Sequence, residues 1–124
     1  MLSLFPLKDK EEIAGIYSSR QMTANENSGC VICKNGDEVL GLCLYELSDK
    51  MLIKHIEPIN DIALADGILR STLHVAAERF VMDAFYADSM PEDFFEKLGF
   101  IEDKTEKRLC IDKLFTSCQS CGKK

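Results

Sequence analysis

Pro91-Glu92-Asp93-Phe94-Phe95-Glu96-Lys97-Leu98-Gly99-Phe100 is the stretch on which the reading of the fold turns. Its spacing predicts a short capped helix that hands over to a strand. Ser89 and Glu92 stand at capping-box spacing, and Pro91 lies near the helix start, where a missing N–H costs nothing. Phe94, Phe95 and Leu98 share one helical face. Gly99 falls where a left-handed residue closes a helix. Phe100 and Ile101 then open an apolar strand.

Working outward, the chain alternates clear elements. Met1 to Leu7 reads as a first strand. Asp9 and Glu12 start a helix that runs through Ile13, Ile16 and Tyr17 to about Met22. Cys30 to Cys33 and Val39 to Leu47 are strands joined by Lys34-Asn35-Gly36-Asp37, an Asn-Gly hairpin turn. Met51 to Glu57 is a further strand, stopped by Pro58. Ile62 to Phe80 is a long helix with Ala65, Leu69, Leu73, Ala76 and Phe80 as its apolar stripe, widened by Leu64 and Ile68. Met82 to Ala87 is a strand, and Phe100-Ile101 pairs with Leu109 to Phe115 as the closing strands. Residues 1–116 read as a single domain, and 117–124 are expected to be a polar, mobile, Cys-containing tail. Meanders combined with a strand–helix–strand crossover indicate a mixed α/β or α+β sandwich.

Composition narrows the function classes. A 124-residue chain with 46% apolar residues can bury one core. Net charge is −6, and no basic stripe with interleaved aromatics occurs, which argues against nucleic-acid binding. No apolar run approaches the roughly 18 residues that span a membrane. Met1 to Pro6 has no basic n-region, so a cytoplasmic protein with reduced thiols is expected. Two Cys-x-x-Cys pairs occur. Cys30 and Cys33 lie in a strand, where positions i and i+3 face opposite sides, so they read as buried hydrophobes. Cys118 and Cys121 lie in the accessible tail and read as a redox pair, a metal clip or plain tail.

The order of elements and the 91–100 cassette resemble the GNAT superfamily of acyl-CoA N-acyltransferases over about residues 1 to 115. The family signature runs Asn-x-x-Ala-x-x-Phe-Tyr-x-Lys-x-Gly-Phe. Phe94, Lys97, Gly99 and Phe100 match it. Asp88 stands for the Asn that contacts the pantetheine arm, Pro91 for the Ala, and Phe95 for the Tyr that protonates the departing thiolate. Ile56-Glu57-Pro58 sits where the family has a Val-x-Pro-like step. The resemblance implies a GNAT-like sandwich, with a splayed mixed sheet of about six or seven strands and helices on both faces.

It also implies acetyl-CoA as cosubstrate, bound between the strand ending at Glu57 and the strand starting near Met82. A phosphate-binding loop would then span Asn60, Ala63, Leu64, Ala65, Asp66 and Gly67, with Asn60, Ala63 and Ala65 at the family's Arg/Gln and two Gly positions. Ala63 puts a Cβ where phosphate approaches backbone, and Asp61 and Asp66 add negative charge there. Both acids also suit an ordinary helix N-terminus. Main-chain N–H near His55 and Ile56 would polarise the thioester carbonyl. His55 and Glu57, on one strand face with Met51 and Ile53, are the candidate bases, and Tyr86 is the nearest substitute acid. The acceptor would be a small-molecule or peptide amine. Long edge strands allow a homodimer. The competing readings are a GNAT-fold binding module without catalysis and a metal or redox protein built on the Cys pairs.

Overall fold

The computed structural model describes residues 2–111. Seven strands make one mixed sheet in the order β1-β2-β3-β4-β5-β7-β6. They are β1 (Leu2–Pro6), β2 (Ser28–Asn35), β3 (Glu38–Leu47), β4 (Met51–Glu57), β5 (Ala84–Tyr86), β6 (Ile101–Asp103) and β7 (Arg108–Leu109). Every neighbouring pair is antiparallel except β4 and β5, which are joined through a helix. The expected GNAT-like sandwich with helices on both faces is therefore what the chain forms.

Each face has its own core. Helix α1 (Lys10–Ser19) lays Ile13 and Tyr17, four residues apart, onto Cys30, Ile32, Leu42 and Leu44. The Tyr17 hydroxyl lies 2.7 Å from Tyr45 O and 3.2 Å from Gly29 O, pinning α1 to the sheet. On the opposite face, α2 (Ile62–Glu78) buries Ala65, Ile68, Leu69, Thr72, Leu73 and Ala76. Helix α3 (Glu92–Leu98) adds Phe94, Phe95 and Leu98 to that core. Cys30 belongs to the first core and Cys33 to the second, so the two thiols point to opposite sides as strand alternation demands. No group of three or more potential metal ligands occurs among the described residues. Cys118, Cys121 and the tail lie outside them, as does most of the expected strand to Phe115. No helix among the described residues is long and apolar enough to cross a membrane.

Four boundaries differ from expectation. α1 ends at Ser19 rather than near Met22, because Gln21 takes φ 60° and the N–H of Gln21 and of Met22 turn back to Ser18 O and Tyr17 O. The expected Ser89 cap is absent. Pro91 is the N-cap of α3 without a side-chain bond, and Glu92 and Asp93 complement the helix dipole instead. β5 spans three residues, with Met82 and Asp83 exposed before it. Finally, α2 stops at Glu78. Phe80 adopts φ 62°, its N–H bonds Ala77 O, and Val81 N–H bonds Ala76 O, which is a Schellman closure. The Phe80 ring leaves the predicted stripe and is 92% exposed. Gly99 does take the left-handed conformation expected of it, at φ 79°.

These closures make a direct prediction. Phe80 occupies a position that costs a side-chain-bearing residue roughly 1–2 kcal/mol and returns no packing. Phe80→Gly should therefore stabilise the protein by about 1 kcal/mol, read as a higher urea midpoint at unchanged m-value. Gly41→Ala should do the reverse, by about 2 kcal/mol, because a Cβ there would lie 2.6 Å from Glu57 O and 2.8 Å from Pro58 Cδ.

Candidate active site

β4 carries the candidate bases His55 and Glu57, and a one-residue bulge decides which way they face. Tyr45 pairs with Ile53 and Leu44 with His55, so Lys54 is an extra residue with no partner across the ladder. Upstream, Met51 and Ile53 point into the α2 core. Downstream, Ile56 returns to that core, opposite Cys43, while His55 and Glu57 pair with Leu44 and Leu42 of the α1 face. The expected shared face of His55 and Glu57 with Met51 and Ile53 is thus corrected. His55 and Glu57 stay together, but the bulge moves them to the other side of the sheet.

β4 also loses its second neighbour at this point. β5 pairs with Met51, Leu52 and Ile53 only, and Ala87 N–H to Ile53 O at 2.9 Å ends the contact. Among the described residues, Lys54 to Glu57 has β3 on one side and no strand on the other. The sheet splays there, and β4 leaves it through a cis Glu57–Pro58 bond.

His55 and Glu57 form a cluster with a residue the sequence did not flag. Arg20, at the C-cap of α1, donates Nε–H to Glu57 Oε1 at 2.9 Å and Nη2–H to Oε2 at 2.7 Å. His55 Nε2 lies 2.7 Å from Glu57 Oε1. This two-toothed guanidinium grip, helped by His55, pushes the Glu57 carboxyl down from 4.5 to about 2 despite partial burial. Glu57 is therefore a carboxylate at neutral pH with both oxygens engaged, which makes it a poor proton acceptor. A carboxylate oxygen accepts only, so Nε2 of His55 carries the hydrogen. In the neutral ring the free lone pair then sits on Nδ1. No local pattern could have announced Arg20, because its partner lies 37 residues away.

The remaining candidates scatter. Ile56 is buried under the sheet. Tyr86 ends β5 with its ring stacked on Phe95 at 4.5 Å, and its hydroxyl is buried with no hydrogen-bond partner among the described residues. Burial raises its pKa. Tyr86 and Asp88 border a cavity of about 480 Å³ floored by Leu52 and Phe85. Asp88 is exposed and pairs with Lys107 at 3.2 Å. Asn60 is exposed, and Ala65 is buried in the core. Asp66 is held by Arg70 at 2.8 Å. Ala63, Leu64 and Gly67 line a groove of about 380 Å³ against Leu2 and Leu4 of β1. Asp61 caps α2, its Oδ1 accepting Leu64 N–H at 3.1 Å.

Known structures share this architecture. The ribosomal-protein-S18-alanine N-acetyltransferase from Escherichia coli superposes with a TM-score of 0.59 at 12% identity, over 87% of this chain and 88% of that one. The N-acetyltransferase-fold protein YhhK from E. coli, solved bound to coenzyme A, gives 0.57 at 16% identity, over 89% and 98%. A mutant AtaT toxin bound to the C-terminus of the antitoxin AtaR gives 0.60 at 14% identity, over 95% and 97%. The chain has the fold of the GNAT acetyltransferases. No model of a known protein family matches it, and no curated protein matches it.

The Arg20–Glu57 grip sets a pH dependence. Glu57 is more acidic folded than unfolded, so the folded state binds fewer protons between pH 4.5 and about 2. Stability from this pair is full above that window and is lost as pH falls through it. Solvent screening at this partly exposed site holds the contribution to about 1 kcal/mol. Glu57→Gln should be less stable than the parent by about that amount at pH 7, and the gap should close by about pH 2 in urea titrations.

Proposed function

We propose that this protein transfers an acyl group from a thioester to a small-molecule or peptide amine, with His55 as the base. The observation that carries the reading is the Arg20–Glu57–His55 cluster at the point where β4 loses its β5 neighbour. Arg20 keeps Glu57 ionised, Glu57 fixes the Nε2–H tautomer, and Nδ1 is left to accept a proton. Histidine is the side chain most often used as a general base.

In the reaction the amine nitrogen attacks the thioester carbonyl carbon. His55 Nδ1 takes the amine proton, the carbon–sulfur bond breaks, and the sulfur leaves as a thiolate that needs a proton. Tyr86 is the candidate donor. Phe95 occupies the family's tyrosine position and has no proton to give, but it stacks directly on Tyr86. A buried hydroxyl without a partner costs about 1–3 kcal/mol, which a leaving sulfur would offset by accepting its hydrogen. The bulge after Ile53 leaves backbone N–H groups near His55 and Ile56 as candidate polarisers of the carbonyl.

Thiol release from acyl thioesters over an amine panel tests this. His55→Ala should lower kcat/KM by roughly 10²–10⁴. Tyr86→Phe should lower it by roughly 10² while raising stability by about 1–3 kcal/mol, because it removes a buried hydroxyl without a partner among the described residues. Turnover unchanged in both variants would remove both roles. Thioester binding without thiol release from any amine would favour the binding-module reading, which the phenylalanine at position 95 supports.

A further inference from the structure

Resting on that reading, we propose that the acyl donor is recognised by its thioester and amide-bearing arm alone, and that the nucleotide end of coenzyme A contributes no affinity. The fold implies coenzyme A, so the residues that would hold its phosphates can be examined one by one. A phosphate normally rests on the free N–H groups at a helix amino end, with cations nearby. Here one of those donors is already taken and a negative charge stands beside the rest, because the Asp61 carboxylate accepts Leu64 N–H. Ala63, in the first turn, carries a Cβ where close approach of backbone to phosphate requires none.

Charge points the same way. From His55 to Leu69 the chain has Glu57, Asp61 and Asp66 and no Lys or Arg. The next cation, Arg70, is held by Asp66 and lies over the Phe100 ring. Ile59 and Ile62, beside Asp61, are 50% and 38% exposed. Ala63 and Leu64 face an apolar groove shared with Leu2 and Leu4. With Glu57 neutralised by Arg20 and Asp66 by Arg70, Asp61 is, among the described residues, the charge left uncompensated on this apolar rim, and it repels a polyanion.

The other end of the cleft is intact. Among the described residues, Lys54 to Glu57 of β4 lacks a strand neighbour on the β5 side, so that edge can pair with an extended chain of amides. The ligand class that fits is an acyl thioester on a short pantetheine-like arm, with or without a nucleotide attached.

Calorimetric titration of the full chain with S-acetylpantetheine and with acetyl-CoA decides the matter. The two dissociation constants are expected within about fivefold of each other. Raising the salt concentration should tighten acetyl-CoA binding and leave S-acetylpantetheine unchanged, since screening relieves repulsion only for the charged ligand. Asp61→Asn keeps an equally good cap while removing the charge, and should tighten acetyl-CoA binding by about threefold to tenfold with no effect on the shorter donor. A preference for acetyl-CoA of about a hundredfold or more in the parent protein overturns the inference and leaves acyl transfer standing. Binding of neither donor at millimolar concentration overturns both.

Discussion

The extra residue in β4 is the constraint on which the site depends. Without Lys54 out of register, strand alternation would put His55 beside Ile53 in the α2 core or force Ile56 to the surface. The bulge lets one strand serve two cores. Met51, Ile53 and Ile56 anchor it to α2, while His55 and Glu57 emerge under α1. Arg20 then closes the arrangement by tying the end of α1 to the end of β4 through a carboxylate. Two elements held by separate hydrophobic clusters are thereby locked together where β4 parts from β5.

Much of the fold was legible because its signals are local. Asn35-Gly36 makes the β2–β3 turn with Gly36 at φ 64°, and Gly99 closes α3 at φ 79°. The α2 stripe from Ala65 to Ala76 is buried as its period demands. The misses arise where a tertiary demand overrides a local preference. Phe80 continues the apolar period, yet the chain must turn there to reach β5, and the backbone closure takes precedence over burial of a ring.

The site was legible in part, for a similar reason. His55 and Glu57 share a strand and an i,i+2 spacing, so their proximity followed from alternation alone. Arg20 did not, because the contact depends on how α1 lies across the sheet. The bulge was equally hidden, since the Met51–Glu57 sequence reads as an unbroken strand. The roles of the two acids changed once partners were known. Glu57 is a tether that holds a neighbour's tautomer, and Asp61 takes the ordinary helix-cap role that was one of its two readings.

The first strand has a consequence of its own. Among the described residues β1 borders the sheet and pairs only with β2, and Leu2, Ser3, Leu4 and Phe5 carry no charge along its outer edge. Native edges are ordinarily guarded by lysines, bulges or a covering loop. Among the described residues this one has Pro6, which removes a single donor at its end. What holds copies apart is then diffuse: a net charge of −6 spread over the whole surface. Protection of the edge is thus delegated from the strand to charges far from it, and added salt, which screens those charges, weakens it.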